Sequence, residues 1–127
     1  IELNKFLGEG RVWKFCRGGG EALAITVRMA RSVALNTRVL VCGYHGTHDW
    51  YLSSNLSTTN DLSQIFLGDI SVDGIPQAYS GTTVCLRSFS AESLQISIAR
   101  ENPGVIFFEA CRYELLNSKI VEILKDF

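Results

Sequence analysis

Runs of apolar residues alternate along the chain with segments in which apolar residues recur every three or four positions. The runs predict strands and the recurring positions predict helices, because side chains alternate across a strand and return to one helix face at those spacings. The predicted strands are residues 11–17, 38–42, 83–89 and 105–109. The predicted helices are residues 21–35, 90–101 and 115–124. Strands that alternate with helices indicate an α/β fold with a mainly parallel sheet and flanking helices.

The helix predicted at residues 21–35 has an apolar stripe that we expect to face the sheet. That stripe consists of Ala22, Ile25, Met29 and Val33. Ser90 is the predicted N-cap of the following helix. Residues 43–82 are rich in Gly, Ser, Thr, Asn and Asp and have little periodicity. A stretch of that length in a compact domain usually carries function or is disordered.

The composition fits one domain over residues 1–127, because compact domains most often contain about 100–150 residues. The formal net charge of −1 gives no bulk attraction to nucleic acid or anionic lipid. Residues 1–50 hold seven Lys and Arg against four Asp and Glu, a balance that suits a small anionic ligand. No apolar stretch approaches the roughly 20 residues of a membrane helix, and no secretory leader is visible.

The cysteines are spread along the chain and form no CxxC pair that would indicate a zinc site. They are Cys16, Cys42, Cys85 and Cys111. The first three lie in strand-like runs, where a free thiol behaves as a small apolar side chain. We therefore expect reduced thiols and a cytoplasmic protein.

Gly18, Gly19 and Gly20 lie between a predicted strand and the start of a helix. Glycines allow the backbone to approach a ligand closely, and the first N–H groups of a helix carry a partial positive charge. The triplet is therefore a candidate phosphate site, although it is neither a Walker loop nor a GxGxxG turn. A flexible tight turn with no ligand is the alternative.

The segment Gly43-Tyr44-His45-Gly46 ends the next predicted strand. Tyr44 could lay its ring on a planar ligand, and His45 could titrate near neutrality or donate a hydrogen bond. His45 and His48 form an HxxH pair, but without a third ligand we expect no metal site. Trp50 and Tyr51 are predicted to pack in the core.

Glu109 ends the apolar run Val105-Ile-Phe-Phe. A carboxylate that close to a core needs a partner. Arg112 is the structural candidate, and a donor on a bound ligand is the functional one. Ligands of parallel sheets bind at the carboxyl ends of strands. That rule selects four places in this chain, which are Gly18–Gly20, Gly43–Gly46, the loop after Phe89, and Glu109–Arg112.

Taken together, these motifs resemble the large domain of class III, fold type I aminotransferases, closest to the branch of glutamate-1-semialdehyde aminomutase. The resemblance rests on Phe15-Cys-Arg-Gly-Gly-Gly-Glu-Ala22, on Arg28-Met-Ala-Arg31, on Gly43-Tyr-His-Gly46, on Gly74-Ile-Pro76 and on the strand that ends at Glu109. It implies a pyridoxal 5'-phosphate enzyme that moves an amino group to or from an aldehyde or keto carbon of a small molecule. It also implies a homodimer.

The resemblance assigns a cofactor-binding role to residues in each of the three segments. The backbone of Gly18, Gly19 and Gly20 would hold the cofactor phosphate, Tyr44 would stack on the pyridine ring beside His45, and Glu109 would lie under the cofactor. Arg17, Gly18 and Gly20 stand where the family has Asn, Ser and Ser or Thr, so a hydroxyl donor to the phosphate is missing. Ala110 stands where the family has Pro.

The aspartate that pairs with the pyridine nitrogen and the Schiff-base lysine of the family would lie beyond Phe127. The resemblance therefore implies a partial domain with no catalytic residue of its own, inactive alone, because the covalent chemistry needs that amine. A non-catalytic α/β module derived from the family, which binds a phosphate or a cofactor, is the main alternative. A nucleotide-binding domain is a weaker one, because no acidic residue follows a GxGxxG turn.

Overall fold

The computed structural model describes residues 4–5, 8–10, 12–57, 62, 70–86, 88–109 and 117–127. Its helices are α1 (Gly19–Ala34), α2 (Asp49–Leu52), α3 (Ala91–Glu101) and α4 (Ser118–Asp126), and its strands are β1 (Val39–Cys42), β2 (Thr83–Cys85) and β3 (Val105–Phe108). Two 3₁₀-helices, Ser53–Leu56 and Gln77–Tyr79, lie between α2 and β2. In these ranges no helix combines the length and the apolar character that crossing a membrane requires.

The strands form a parallel sheet in the order β2-β1-β3. Val39, the first residue of β1, pairs with Thr83 of β2 and with Val105 of β3. All four residues of β1 are buried, as expected for a central parallel strand covered on both faces. The predicted α/β class with a parallel sheet and flanking helices is confirmed.

Successive residues of β1 point to opposite faces of the sheet, and each face has its own core. Val39 and Val41 belong to the core that α1 covers, whereas Leu40 and Cys42 belong to the core that α3 and α4 cover. The carboxyl ends of the strands are thus held between two helical layers.

The strand predicted at residues 11–17 is wrong for the part that the structure describes. Residues 12–17 have no strand geometry, and the side chains of Val12 and Phe15 are 99% and 74% exposed. A strand is stable only when a neighbouring strand completes its hydrogen bonds. Within the described residues the sheet consists of β2, β1 and β3, and this segment pairs with none of them.

The predicted apolar stripe of α1 does not coincide with the face that the helix buries. Met29 and Val33 are 62% and 86% exposed, whereas Val27 is fully buried. Leu23, Ala24 and Ala30 pack with Val27 against the core. Two sets of apolar residues on this helix have the spacing of a helix face, so packing against the sheet decides which set is buried.

The boundaries of α3 agree with the sequence pattern. Ser90 caps α3, because its Oγ accepts a hydrogen bond from the N–H of Ser93 at 3.1 Å. Asn102 ends α3 with a left-handed φ of +45°. The strand predicted at residues 83–89 is shorter in the structure, ending at Cys85. The final helix begins at Ser118, and residues 115–116 of its predicted range lie outside the described residues.

Candidate functional site

The carboxyl ends of β1 and β3 place Gly43 and Glu109 side by side. Cys42 pairs with Phe108 in the sheet register, and the N–H of Glu109 donates to the carbonyl of Cys42 at 3.1 Å. The Glu109 carboxylate then turns back toward β1, where its Oε2 accepts a hydrogen bond from the N–H of Tyr44 at 3.0 Å. Two of the four places selected from the sequence, Gly43–Gly46 and Glu109, thus lie in contact.

Glycine is required at position 43. Its φ of +96° lies in the left-handed region, and an added Cβ would lie 2.7 Å from Oε2 of Glu109. The carbonyl of Gly43 accepts a hydrogen bond from the buried hydroxyl of Tyr51 at 2.6 Å. The peptide that precedes Tyr44 is therefore held from both sides, by Glu109 and by Tyr51.

Tyr44 is 40% exposed at this edge of the sheet. Its ring meets the ring of Tyr51 edge to face, with centroids 6.4 Å apart and planes at 84°. The hydrogen bond from the backbone N–H of Tyr44 to Glu109 restricts the backbone position from which the ring projects. The arrangement suits stacking on a planar ligand, as the sequence suggested.

His45 lies in the core instead. It is 4% exposed, and its ring packs edge to face against Tyr51 and Phe107. Its Nε2 lies 3.1 Å from the carbonyl of Cys42, and since a carbonyl only accepts, Nε2–H is the donor. Burial lowers the pKa of His45, so the ring is neutral near pH 7 and supports the loop from below.

The glycine triplet forms the N-terminus of α1. Gly18 is the N-cap, with extended φ and ψ of −160° and 165°. The first N–H groups of a helix have no carbonyl of their own helix to bond, and they carry the positive end of its dipole. Glu21, in this first turn, is held by the N–H of Arg17 at 2.9 Å.

Gly20 brings this loop against the loop that follows β1. A Cβ added at Gly46 would lie 3.6 Å from Cα of Gly20, and a Cβ added at Gly20 would collide with the ring of His48, with Cδ2 at 2.7 Å. At Gly18 and Gly19 an added Cβ would meet nothing within 4 Å. The glycine loop thus touches the Gly43–Gly46 segment on one side and is open on the other.

The contact between His48 and Gly20 was not predicted from the sequence, in which His48 figured only in the HxxH pair. That pair is divided in the structure, since His45 is buried and His48 is exposed. Within the described ranges, no group of three His, Cys, Asp or Glu side chains could hold a metal ion. The sequence does contain one indication of this contact, because Gly20 and Gly46 both lack a side chain that would keep the two loops apart.

His48 also lines a cavity of about 380 Å³ between α1 and α2. Arg28, Arg31 and Asp49 contribute to the same cavity. Nε of Arg31 donates a hydrogen bond to the carbonyl of Thr37 at 2.7 Å. Burial lowers the pKa of Arg31, but a guanidinium stays protonated in proteins, so the two arginines give the cavity more positive than negative charge.

Two predictions fall partly outside the described residues. Arg112, the predicted structural partner of Glu109, lies outside the described residues, in the segment 110–116. Cys111 lies in the same segment. Cys16 and Cys42 are free thiols. Trp50 and Tyr51 pack in the core as predicted. No family model matches the chain, and no curated protein matches it either.

Proposed function

We propose that this chain is part of the cofactor-binding domain of a pyridoxal 5'-phosphate-dependent enzyme of the class III aminotransferase type, fold type I. The whole enzyme would move an amino group to or from a small aldehyde, keto or amino compound and would act as a homodimer. A cytoplasmic location belongs to the proposal, and the free thiol of Cys42 in the core supports it.

The observation that carries the proposal is the convergence of three segments that are far apart in sequence. Gly18–Gly20, Gly43–Gly46 and Glu109 meet at the carboxyl edge of the parallel sheet through the contacts of Gly46 with Gly20 and of Glu109 with Tyr44. Ligands of open α/β sheets bind at that edge. An anion site beside an exposed aromatic ring matches a cofactor that has a phosphate at one end and a planar ring at the other.

The glycine loop fits the phosphate end of the cofactor. The N–H groups at the start of α1 have no partner in their own helix, and helix N-termini of this kind bind phosphate. The backbone at Gly18 and Gly19 is open where a Cβ would otherwise fill the approach. A phosphate can therefore come close to these amides.

Tyr44 and Glu109 fit the end of the cofactor that carries the pyridine ring. Tyr44 exposes 40% of its surface while Glu109 holds its backbone N–H. A stacked aromatic pair adds about 0.5–1.5 kcal/mol beyond the burial of area. His45, neutral and buried behind the loop, adds rigidity rather than charge.

When it is bound, pyridoxal 5'-phosphate supplies an electron sink for bonds to the carbon that carries the amino group. The chain's own residues bind and orient it: the glycine loop holds its phosphate, Tyr44 covers its ring, and Glu109 keeps Tyr44 in place. None of these residues provides an amine. The lysines of the chain, Lys5, Lys14, Lys119 and Lys125, are all exposed, and none lies at the carboxyl end of a strand.

The exposure of these lysines favours one second candidate, a non-catalytic module of the same ancestry that binds the cofactor or a phosphate. Both candidates use the same three segments. They differ in whether residues encoded after Phe127 supply a lysine and an acidic partner for the pyridine nitrogen. A reading frame that continues to such residues supports the enzyme, and one that ends at Phe127 supports the module.

Cofactor binding is tested by titrating the purified chain with pyridoxal 5'-phosphate and recording the visible absorbance. We expect a saturable spectral change that Tyr44→Ala weakens about tenfold, given the stacking and burial that are lost. Phe127→Ala is the control, because Phe127 is an aromatic residue that is 50% exposed and follows α4, outside the three segments. Absence of any saturable change contradicts the proposal.

Borohydride reduction of the titrated sample tests the role of the lysines. We expect no lysine to be trapped in stoichiometric amount and no amino transfer above the rate of free cofactor. Trapping at one lysine, located by peptide mapping, would contradict the expectation that this stretch of chain lacks the Schiff-base amine.

A further inference from the structure

We propose that the imidazole of His48 binds the phosphate of the cofactor, as a side-chain donor at a loop made only of glycines. This inference rests on the proposed function and adds one residue to the phosphate end of the site. The donor comes from the loop after β1 rather than from the glycine loop itself.

The ring lies against the glycine loop because both loops lack side chains at the point of contact. A Cβ at Gly20 would collide with Nε2 and with Cδ2 of His48, and a Cβ at Gly46 would lie 3.9 Å from Cδ2. His48 thus fills the space that a side chain on the first turn of α1 would occupy. Its Nε2 is the ring atom nearest to that position.

The backbone of His48 is held while its ring is not. The carbonyl of His48 accepts hydrogen bonds from the N–H groups of Tyr51 at 2.9 Å and Leu52 at 3.1 Å, as the N-cap of α2. In the part of the chain that the structure describes, neither ring nitrogen of His48 has a hydrogen-bond partner. The side chain is exposed, so an N–H of the ring is available to a ligand that enters from solvent.

The surroundings of the ring favour an anion. Arg28, Arg31 and Asp49 line the adjoining cavity with His48, but the guanidinium of Arg31 lies at the far end of α1, where it donates to the carbonyls of Thr37 and Thr82. The N-terminus of α1 adds its partial positive charge next to Gly20. A phosphate at the glycine loop would therefore meet backbone N–H groups on one side and the imidazole on the other.

The test compares two probes that differ only in the phosphate, pyridoxal 5'-phosphate and pyridoxal. We expect His48→Ala to weaken binding of pyridoxal 5'-phosphate by the 127-residue chain about tenfold, the size of one hydrogen bond to a charged group. Binding of pyridoxal should not change. Thr47→Ala, an exposed neighbour in the same loop, is the control and should bind both probes like the wild type.

A double variant and a measurement on the wild type make the test independent of the single substitution. Removing the ring in Gly20→Ser/His48→Ala makes room for a hydroxyl at position 20, so we expect the preference for the phosphorylated probe to return. In the wild type, with only two histidines, inorganic phosphate should shift the NMR resonances of the His48 ring and leave those of buried His45 in place.

The outcomes separate this inference from the proposed function. Saturable binding of pyridoxal 5'-phosphate that His48→Ala leaves unchanged, or a loss that is equal for both probes, overturns the role of His48 alone. His48 resonances that do not respond to saturating phosphate overturn it as well. Absence of binding by the wild type overturns the proposed function together with this inference.

Discussion

The carboxylate of Glu109 accepts a hydrogen bond from the backbone N–H of Tyr44, with 3.0 Å between Oε2 and N. Sixty-five positions separate the two residues in sequence, and the parallel pairing of β1 with β3 brings them together. The hydrogen bond thus links Glu109 to the backbone of the residue whose ring is exposed at the edge of the sheet. Any ligand that stacks on Tyr44 therefore depends on the position of Glu109.

Substitution of Glu109 should release the N–H of Tyr44. We expect Glu109→Ala to speed amide hydrogen exchange at Tyr44 about tenfold, because a hydrogen bond to a charged group contributes roughly 1.5–3 kcal/mol. Glu109→Gln keeps an acceptor oxygen and should keep most of the protection. The measurement is residue-resolved exchange by NMR. Equal exchange rates in Glu109→Ala and the wild type would contradict this role of the carboxylate.

Substitution of Gly43 should destabilise the fold by two separate effects. Gly43→Ala places a Cβ at a φ of +96° and 2.7 Å from Oε2 of Glu109. The backbone strain alone costs about 1–2 kcal/mol, and we expect about 2–4 kcal/mol in total with the collision. Gly74→Ala is the matched control, because its φ is +90° and its added Cβ would meet nothing within 4 Å.

The free energy of unfolding of both variants can be measured by urea denaturation monitored by circular dichroism. The difference between them isolates the collision with Glu109, since the strain is common to both. Equal losses in the two variants would mean that the Glu109 carboxylate moves aside without cost.

The sequence predicted the central strand, which is buried on both faces, and the edge of the sheet at which the candidate site forms. Continuous apolar runs such as Val39–Cys42 leave few alternatives to a central parallel strand. The rule that ligands bind at the carboxyl ends of strands then selected four places, and Gly43–Gly46 and Glu109 were among them. These predictions depend on local pattern and topology, which a single sequence contains.

The pattern of apolar residues alone did not decide which face of a helix is buried. It also did not decide whether a short apolar run pairs with another strand. On α1 the exposed Met29 and the buried Val27 are both apolar, and only the position of the sheet distinguishes them. The run at residues 11–17 has strand composition but no neighbour among the described strands. The contact of His48 with Gly20 depends on the approach of two loops, a tertiary relationship that spacing along the chain does not encode.

The burial of His45 should make stability fall at acidic pH. Desolvation lowers the pKa of the folded-state imidazole below its ordinary value of 6.5, so below about pH 6.5 the unfolded chain binds a proton that the folded chain binds less readily. The free energy of unfolding therefore decreases as pH falls through this range. His45→Gln should show a shallower decrease between pH 7 and 5 in urea titrations. Parallel curves for the two proteins would contradict this prediction.

The thiol of Cys42 should produce the opposite dependence at alkaline pH. Burial in β1, with a smaller effect of the nearby Glu109 charge, raises the pKa of Cys42 from 9.0 to about 11. Between these values the unfolded chain loses a proton that the folded chain keeps, so the free energy of unfolding decreases as pH rises from 9 toward 11. Cys42→Ala removes this contribution and should flatten the curve in that window.

Alkylation of the folded protein offers a second measurement on Cys42. The thiolate is the reactive form, and Cys42 is 6% exposed, so iodoacetamide at pH 8.5 should modify it far more slowly than in the chain unfolded by urea. Peptide mapping by mass spectrometry assigns the modified residue. Rapid modification of Cys42 in the folded protein would contradict its burial between β1 and the α3–α4 layer, and with it the packing that holds Gly43 beside Glu109.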